Sequence, residues 1–203
     1  MNFRRGFKTD ANWYARQMRT ELGIAAYAPL CPWKLAAHLE YVVVQLSQYE
    51  DAQPQSVSYL MSARGQSEFS AITLYHGQDR IIIHNDAHNR GRQAANLAHE
   101  LAHGLLMHTP DSLVGEDGAR TFNREQENEA HWLGPALLIS EEAAVHIART
   151  GLSTPAACSE YVVSEDLLQM RLRVTGALKR AAFRRAALPT ANISSEGGGF
   201  TRT

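Results

Sequence analysis

The stretch Arg92-Gln93-Ala94-Ala95-Asn96-Leu97-Ala98-His99-Glu100-Leu101-Ala102-His103-Gly104-Leu105-Leu106-Met107 decides how the rest of this chain is read. At about 100° per residue in a helix, His99 and His103 lie within about 40° of each other, so both imidazoles can reach one metal ion. Glu100 sits beside them. Leu97, Ala98, Leu101, Ala102 and Leu105 occupy much of the other side, so the helix can bury one stripe while its histidines face a cleft. In such a layout zinc takes a nitrogen from each histidine and keeps a water, while the glutamate serves as general base rather than ligand. With nine histidines in the chain the bare pattern can arise by chance. Its setting makes it specific: an amphipathic helix, preceded by a hairpin and followed by a helix rich in carboxylates.

The hairpin is read from Phe69 to Tyr75 and Arg80 to Asn85, both rich in β-branched and aromatic residues, with His76-Gly77-Gln78-Asp79 between them. Farther upstream, Asp10 can cap a helix that runs to about Leu22, with Trp13, Tyr14, Met18 and Leu22 on one face and Gly23 at the stop. Pro32 opens a second short helix. Tyr41 to Leu46 then turns strongly β-branched and predicts a strand. Ser47 to Ser56, rich in Gln, Ser, Asp and Pro, predicts a loop.

Downstream, a loop is expected from roughly His108 to Thr121, then a helix from about Arg124 with Asn123 as its cap. Pro135 falls inside that helix and should kink or split it. A zinc site of this type needs a third protein ligand, and Glu125, Glu127 and Glu129 are the nearby candidates. Glu127, Ala130, His131 and Gly134 share one face, whereas Glu129 lies about 200° round from Glu127, near Leu133 and Ala136, so only one of the two can face the metal. A glutamate in the first turn also compensates the helix dipole, which accounts for Glu125. His131 could form a hydrogen bond behind the ligands, and Gly134 would let two helices approach closely.

These residues resemble a known family, the ImmA/IrrE family of bacterial and phage metallopeptidases. Arg92-Gln93, Leu97 to His103 and Leu105-Leu106 are similar to its active-site helix. Glu127-Asn128-Glu129-Ala130, then Leu133-Gly134 and Leu137-Leu138-Ile139, resemble its second motif, usually Glu-x-Glu-Ala followed by a bulky-small pair and Leu-Leu-Met-Pro. The similarity extends over about residues 10 to 175. It implies that His99, His103 and Glu127 hold Zn2+, with Glu129 as the fallback ligand, and that Glu100 polarises the attacking water. It implies a zincin-like α+β fold in which a small, mostly antiparallel sheet packs on the active-site helix and a helical C-terminal half follows. Members typically sit beside, and in known cases cleave, a helix-turn-helix repressor, so that is the partner class expected. Three positions depart from the pattern: His131 stands where Asp or Asn is common, Pro135 interrupts the second helix, and Ser140 replaces the usual proline.

Composition agrees with a soluble enzyme. The 203 residues are 44% apolar and 20% charged, enough for one packed core, so a single domain over 1–191 with a disordered tail over 192–203 is expected. Twenty basic and twenty-one acidic side chains give a net charge of -1 and no bulk argument for nucleic-acid or membrane binding. No window approaches the roughly 18 apolar residues of a membrane span. Cys31 and Cys158 read as reduced thiols, and the basic N-terminus lacks a following apolar stretch, so the cytoplasm is the expected compartment.

Other signals carry less. His76, His84, His88, His108 and Tyr75 lie near the cleft in sequence and could stabilise an oxyanion, but histidines at a surface or in a core are far commoner than catalytic ones. Val163 to Leu172, with Ser164 as cap, faintly resembles a recognition helix and reads more simply as a packing helix. Lys179, Arg180, Arg184 and Arg185 form a basic cluster of the kind that usually ends a solvated helix. A binding module whose zinc only staples two helices is the main alternative to a peptidase.

Overall fold

The computed structural model describes residues 3–108 and 123–187. The loop predicted from roughly His108 to Thr121, apart from His108 itself, and the tail over 192–203 lie outside the described residues. The first helix, α1 (Phe7–Glu21), starts a turn earlier than Asp10: Gly6 takes a left-handed conformation (φ 86°) as its N-cap. Phe7 stacks on Phe3 at 5.2 Å and is wholly buried, so burial of the aromatic sets the start and Asp10 instead pairs with Arg4 at 2.6 Å. The buried face is Phe7, Ala11, Ala15 and Met18, which leaves Trp13 half exposed.

Next comes α2 (Pro32–His38), with proline in its first turn, then β1 (Tyr41–Gln45). Where a loop was expected, a 3-10 turn (Leu46–Tyr49) and α3 (Pro54–Met61) follow. Pro54 starts the latter in the position proline favours, a signal hidden by its polar neighbours. After the short α4 (Gly65–Glu68), β2 (Ala71–His76) and β3 (Asp79–His84) form the predicted hairpin. Its two-residue turn uses Gly77 at φ 62°, a conformation a side chain would resist.

The sheet has the order β1-β3-β2. The hairpin is antiparallel, but β1 runs parallel to β3, pairing Tyr41 with Arg80 and Gln45 with His84, so the sheet is mixed rather than mostly antiparallel. The long connection between β1 and β3 carries the chain back to enter alongside, which a tight turn cannot do.

The active-site helix of the sequence reading is α5 (Arg90–Leu105), capped by the Asn89 side chain, which accepts from Arg92 N. Asn123 caps α6 (Arg124–Leu138) as expected, accepting from Glu125 N and Gln126 N. Pro135 does not split α6. Its missing N–H would have faced the carbonyl of His131, an exposed residue, and the last turn still closes from Ile139 N to Pro135 O. Four helices complete the described residues: α7 (Glu141–Thr150), α8 (Thr154–Tyr161), α9 (Glu165–Val174) and α10 (Ala177–Ala187).

Two buried clusters meet on α5 and α6. In the first, Phe7, Ala11 and Met18 of α1, which packs on α6, join Leu133 and Leu137 of α6, Leu97 and Leu101 of α5 and Ile82 of β3. In the second, Ala98, Leu138 and Ile139 meet Ala143, Ala144, Ile147, Tyr161 and Leu168. The two motif helices are thus held from both sides. α9 is capped by Ser164 and buries Leu168, Arg171 and Leu172, as a packing helix does. Only the backbone of Arg184 and Arg185 is described. Cys31 and Cys158 are free thiols, and no helix among the described residues is long and apolar enough to cross a membrane.

Candidate metal centre

Spacing on α5 places the rings of His99 and His103 4.8 Å apart, with their Nε2 atoms 3.2 Å from each other. From α6, Glu127 sets Oε2 3.4 Å from His99 Nε2 and Oε1 3.4 Å from His103 Nε2. These three side chains form a cluster able to hold a metal ion. Four ligands arranged tetrahedrally about 2.0–2.1 Å from one ion stand roughly 3.3–3.4 Å apart, which the observed separations match. Hydrogen bonds with His103 and then His99 hold the Glu127 carboxyl well below the usual carboxylate range, outweighing the opposite effect of burial. Two imidazoles and one anionic oxygen therefore converge, half buried, on one point.

Glu127 can reach that point because α5 and α6 almost touch at Gly134, two turns farther along the same face. A Cβ there would meet His99 N at 3.1 Å and Ala98 C at 3.3 Å. The other acidic residues of α6 go elsewhere. Glu125 is exposed in the first turn, and Glu129 is buried behind the cluster, 3.3 Å from both His108 Nε2 and Arg4 Nε. His131 lies beside the cluster: its ring is 4.5 Å from that of His99, and its Nδ1 is 2.8 Å from the Glu127 carbonyl oxygen.

Glu100 reaches the sheet, where Thr73 of β2 donates its hydroxyl to Glu100 Oε2 at 2.5 Å. One strand period along the same face is Tyr75. Burial, then its proximity to and hydrogen bond with Tyr41, push the Tyr75 phenol up to about 12, and the charge of Glu100 adds to this. The Tyr41 hydroxyl rests against Gly104, where a side chain would collide with it. Neither Thr73 nor Tyr41 carries a sequence signal beyond that of a strand former.

The four histidines considered as oxyanion donors divide clearly. His84 is buried against Trp33, and both of its nitrogens lack partners. His88 is buried between the Gln66 carbonyl and the Asn96 amide. His76 ends β2 in the open, while His108 touches His103 through Nδ1 at 3.0 Å. Tyr75, one of the residues considered as oxyanion donors, has Glu100 as an electrostatic neighbour.

A three-stranded sheet, a helix carrying two histidines and a second helix supplying a carboxylate fit the zincin-like α+β class. The family model described as Peptidase_M78, IrrE N-terminal-like domain, matches residues 59–173, more than half of the chain. The chain belongs to this peptidase family. The matched segment runs from α3 to α9 and contains both helices of the candidate centre; α1, α2 and β1 lie before it. No curated protein and no solved structure matches the chain.

Proposed function

We propose that this protein is a zinc-dependent endopeptidase of the cytoplasm that cleaves a partner protein, with a helix-turn-helix repressor as the substrate class. The observation that carries the reading is the convergence of His99, His103 and Glu127 at mutual distances of 3.2–3.4 Å, with Glu100 next to His99 on the same helix. The donor set favours zinc, which accepts imidazole nitrogen and carboxylate oxygen in a four-coordinate site with one open position. When bound, zinc supplies Lewis acidity, lowering the pKa of a water and polarising a carbonyl. The repressor as substrate rests on the family resemblance, and the free thiols fit a reducing compartment.

The protein's own groups supply the rest. Glu100 takes the proton of the attacking water and returns it to the leaving amine. Thr73 donates to Oε2 of Glu100 and so holds its carboxylate, leaving Oε1 to accept a proton. Tyr75 remains protonated at neutral pH and can donate to the oxyanion as it forms. β2 is an outer strand of the sheet, so an extended substrate can pair along it and bring a peptide bond past Glu100.

The test is elemental analysis of purified protein with His99→Ala, Glu127→Ala and Glu100→Gln variants, followed by mass spectrometry of a helix-turn-helix repressor encoded beside the gene. About one zinc per chain, lost in the first two variants and kept in the third, with cleavage lost in all three, is the expected result. Zinc without cleavage, and partner binding indifferent to Glu100→Gln, would replace the peptidase with a metal-stapled binding module. No zinc in folded wild type would end both readings.

A further inference from the structure

We propose that His108 and Glu129 are positioning residues for His103, forming a two-step relay that fixes the tautomer and orientation of its imidazole. The inference rests on the metal-binding reading of His99, His103 and Glu127. The two nitrogens of His103 face different ways. Nε2 points into the donor cluster, 3.2 Å from His99 Nε2 and 3.4 Å from Glu127 Oε1. Nδ1 points out of it, 3.0 Å from His108 Nδ1. On the far side of the second ring, His108 Nε2 is 3.3 Å from Glu129 Oε2, and Glu129 Oε1 is 3.3 Å from Arg4 Nε.

With His103 offering its Nε2 lone pair to a metal, only one proton arrangement satisfies this chain. His103 then carries its proton on Nδ1 and donates to His108 Nδ1. That nitrogen is an acceptor only if the His108 proton is on Nε2, from which it donates to Glu129. An ionised carboxylate accepts and cannot donate, so the direction of the relay is set from its buried end. A ligand histidine held through its second nitrogen by a carboxylate is a recurrent device of metal sites; here one more imidazole stands between them.

The backbone is arranged for the same contact. Met107 adopts a left-handed conformation, φ 52°, unusual for a residue other than glycine, while its own side chain is 87% exposed. The turn it makes closes α5 with bonds from Met107 N to Gly104 O and from His108 N to His103 O. The chain folds back, and the first residue after the turn is laid against His103. His108 and Glu129 are then sealed in, with side-chain exposures of 6% and 9%. Arg4, just before α1, closes the far end with an ion pair to Glu129, so the N-terminal segment and both motif helices meet behind the donor cluster.

Zinc affinity measured by competition with a chromophoric chelator tests this, using wild type, His108→Ala, His108→Asn and Glu129→Gln, each checked for fold by circular dichroism. We expect His108→Ala to weaken zinc binding by about 10- to 100-fold. Asparagine places an amide oxygen where Nδ1 stood, so His108→Asn should recover most of that loss, and Glu129→Gln should fall between. In zinc-loaded protein labelled with nitrogen-15, the His103 Nδ1 proton should be slow to exchange in wild type and in His108→Asn, and absent in His108→Ala. Equal affinity of wild type and His108→Ala would overturn the relay while leaving the metal site intact. So would an asparagine variant as weak as alanine, which would reduce His108 to a space filler. Wild type that binds no zinc would overturn the metal reading and the relay together.

Discussion

Gly134 faces the backbone of His99 with no room for a methyl group between them: a Cβ would lie 3.1 Å from His99 N and 3.2 Å from its Cα. The contact sets how near α6 comes to α5. Seven residues earlier on the same face, Glu127 is thereby held 3.4 Å from the two imidazoles. The carboxylate is thus placed by a residue with no chemistry of its own.

Gly134→Ala tests that link. The methyl meets helix backbone rather than a movable side-chain tip, so α5 and α6 must part by some tenths of an ångström. We expect a loss of about 1–3 kcal/mol in urea unfolding, typical of overpacking a tight contact, together with weaker zinc binding in chelator competition. Zinc affinity equal to wild type would mean that Glu127 tolerates a looser pair of helices.

The end of α6 is held by two buried charges. Arg19 donates from Nη2 to Leu138 O and Arg171 from Nε to Ile139 O, satisfying carbonyls that a helix end leaves open. Burial pulls both guanidiniums down to about 10, which leaves them charged at neutral pH and suited to the negative end of the helix. Arg171→Met should strand the Ile139 carbonyl and cost about 1–3 kcal/mol in urea unfolding. Arg171→Lys should restore only part of this, because an ammonium lacks the planar fork. A methionine variant as stable as wild type would show that water reaches that carbonyl.

Ser140 carries two tasks where the family pattern has proline. Its hydroxyl accepts from Ala143 N at 3.0 Å as the cap of α7 and donates to Ala26 O at 2.7 Å. Ser140→Ala should destabilise by about 0.5–2 kcal/mol, the usual range for a lost cap. Ser140→Pro should be the milder change: φ at 140 is already -62° and Ile139 is extended, so the ring fits and stiffens the unfolded chain. Thermal melts of the two variants decide it, and a proline variant below alanine would mean that the ring disturbs the junction of α6 and α7.

Much of this site was legible because short-range periodicity writes it. Four-residue spacing puts His99 and His103 together, a cap and an acidic turn start α6 at Arg124, and the β-branched runs around Gly77 make the hairpin. What was hidden depends on distant partners. That β1 joins β3 in parallel is decided by a connection whose polar residues hide α3. Arg19 and Arg171 read as surface charges until the open carbonyls they serve are located. Thr73 reads as a strand former until Glu100 is beside it, and Asp10 reads as a cap until Phe7 is seen to be worth burying. Pro135 stays within an unbroken helix, and the one carbonyl it deprives belongs to an exposed residue.

His84 should make the fold sensitive to mild acid. It is almost wholly buried at the end of β3, edge-on to Trp33, with neither nitrogen bonded. Burial lowers its pKa below the ordinary 6.5, and nearby Arg90 and His88 act in the same direction, against the single opposing charge of Asp86. As pH falls through 6.5 the unfolded chain takes up a proton that the native imidazole refuses. Unfolding then binds protons, so stability declines on acidification until the native ring itself titrates. One such site gives at most about 1.4 kcal/mol per pH unit. His108, also lowered by burial, contributes a slope of the same sign, so the comparison must isolate His84. Urea unfolding of metal-free wild type and His84→Leu between pH 7.5 and 5 does this: the wild-type curve should fall more steeply, and the difference between the two should grow toward acid pH. Parallel curves would show that His84 accepts its proton inside the fold, with water or Asp86 serving the charge.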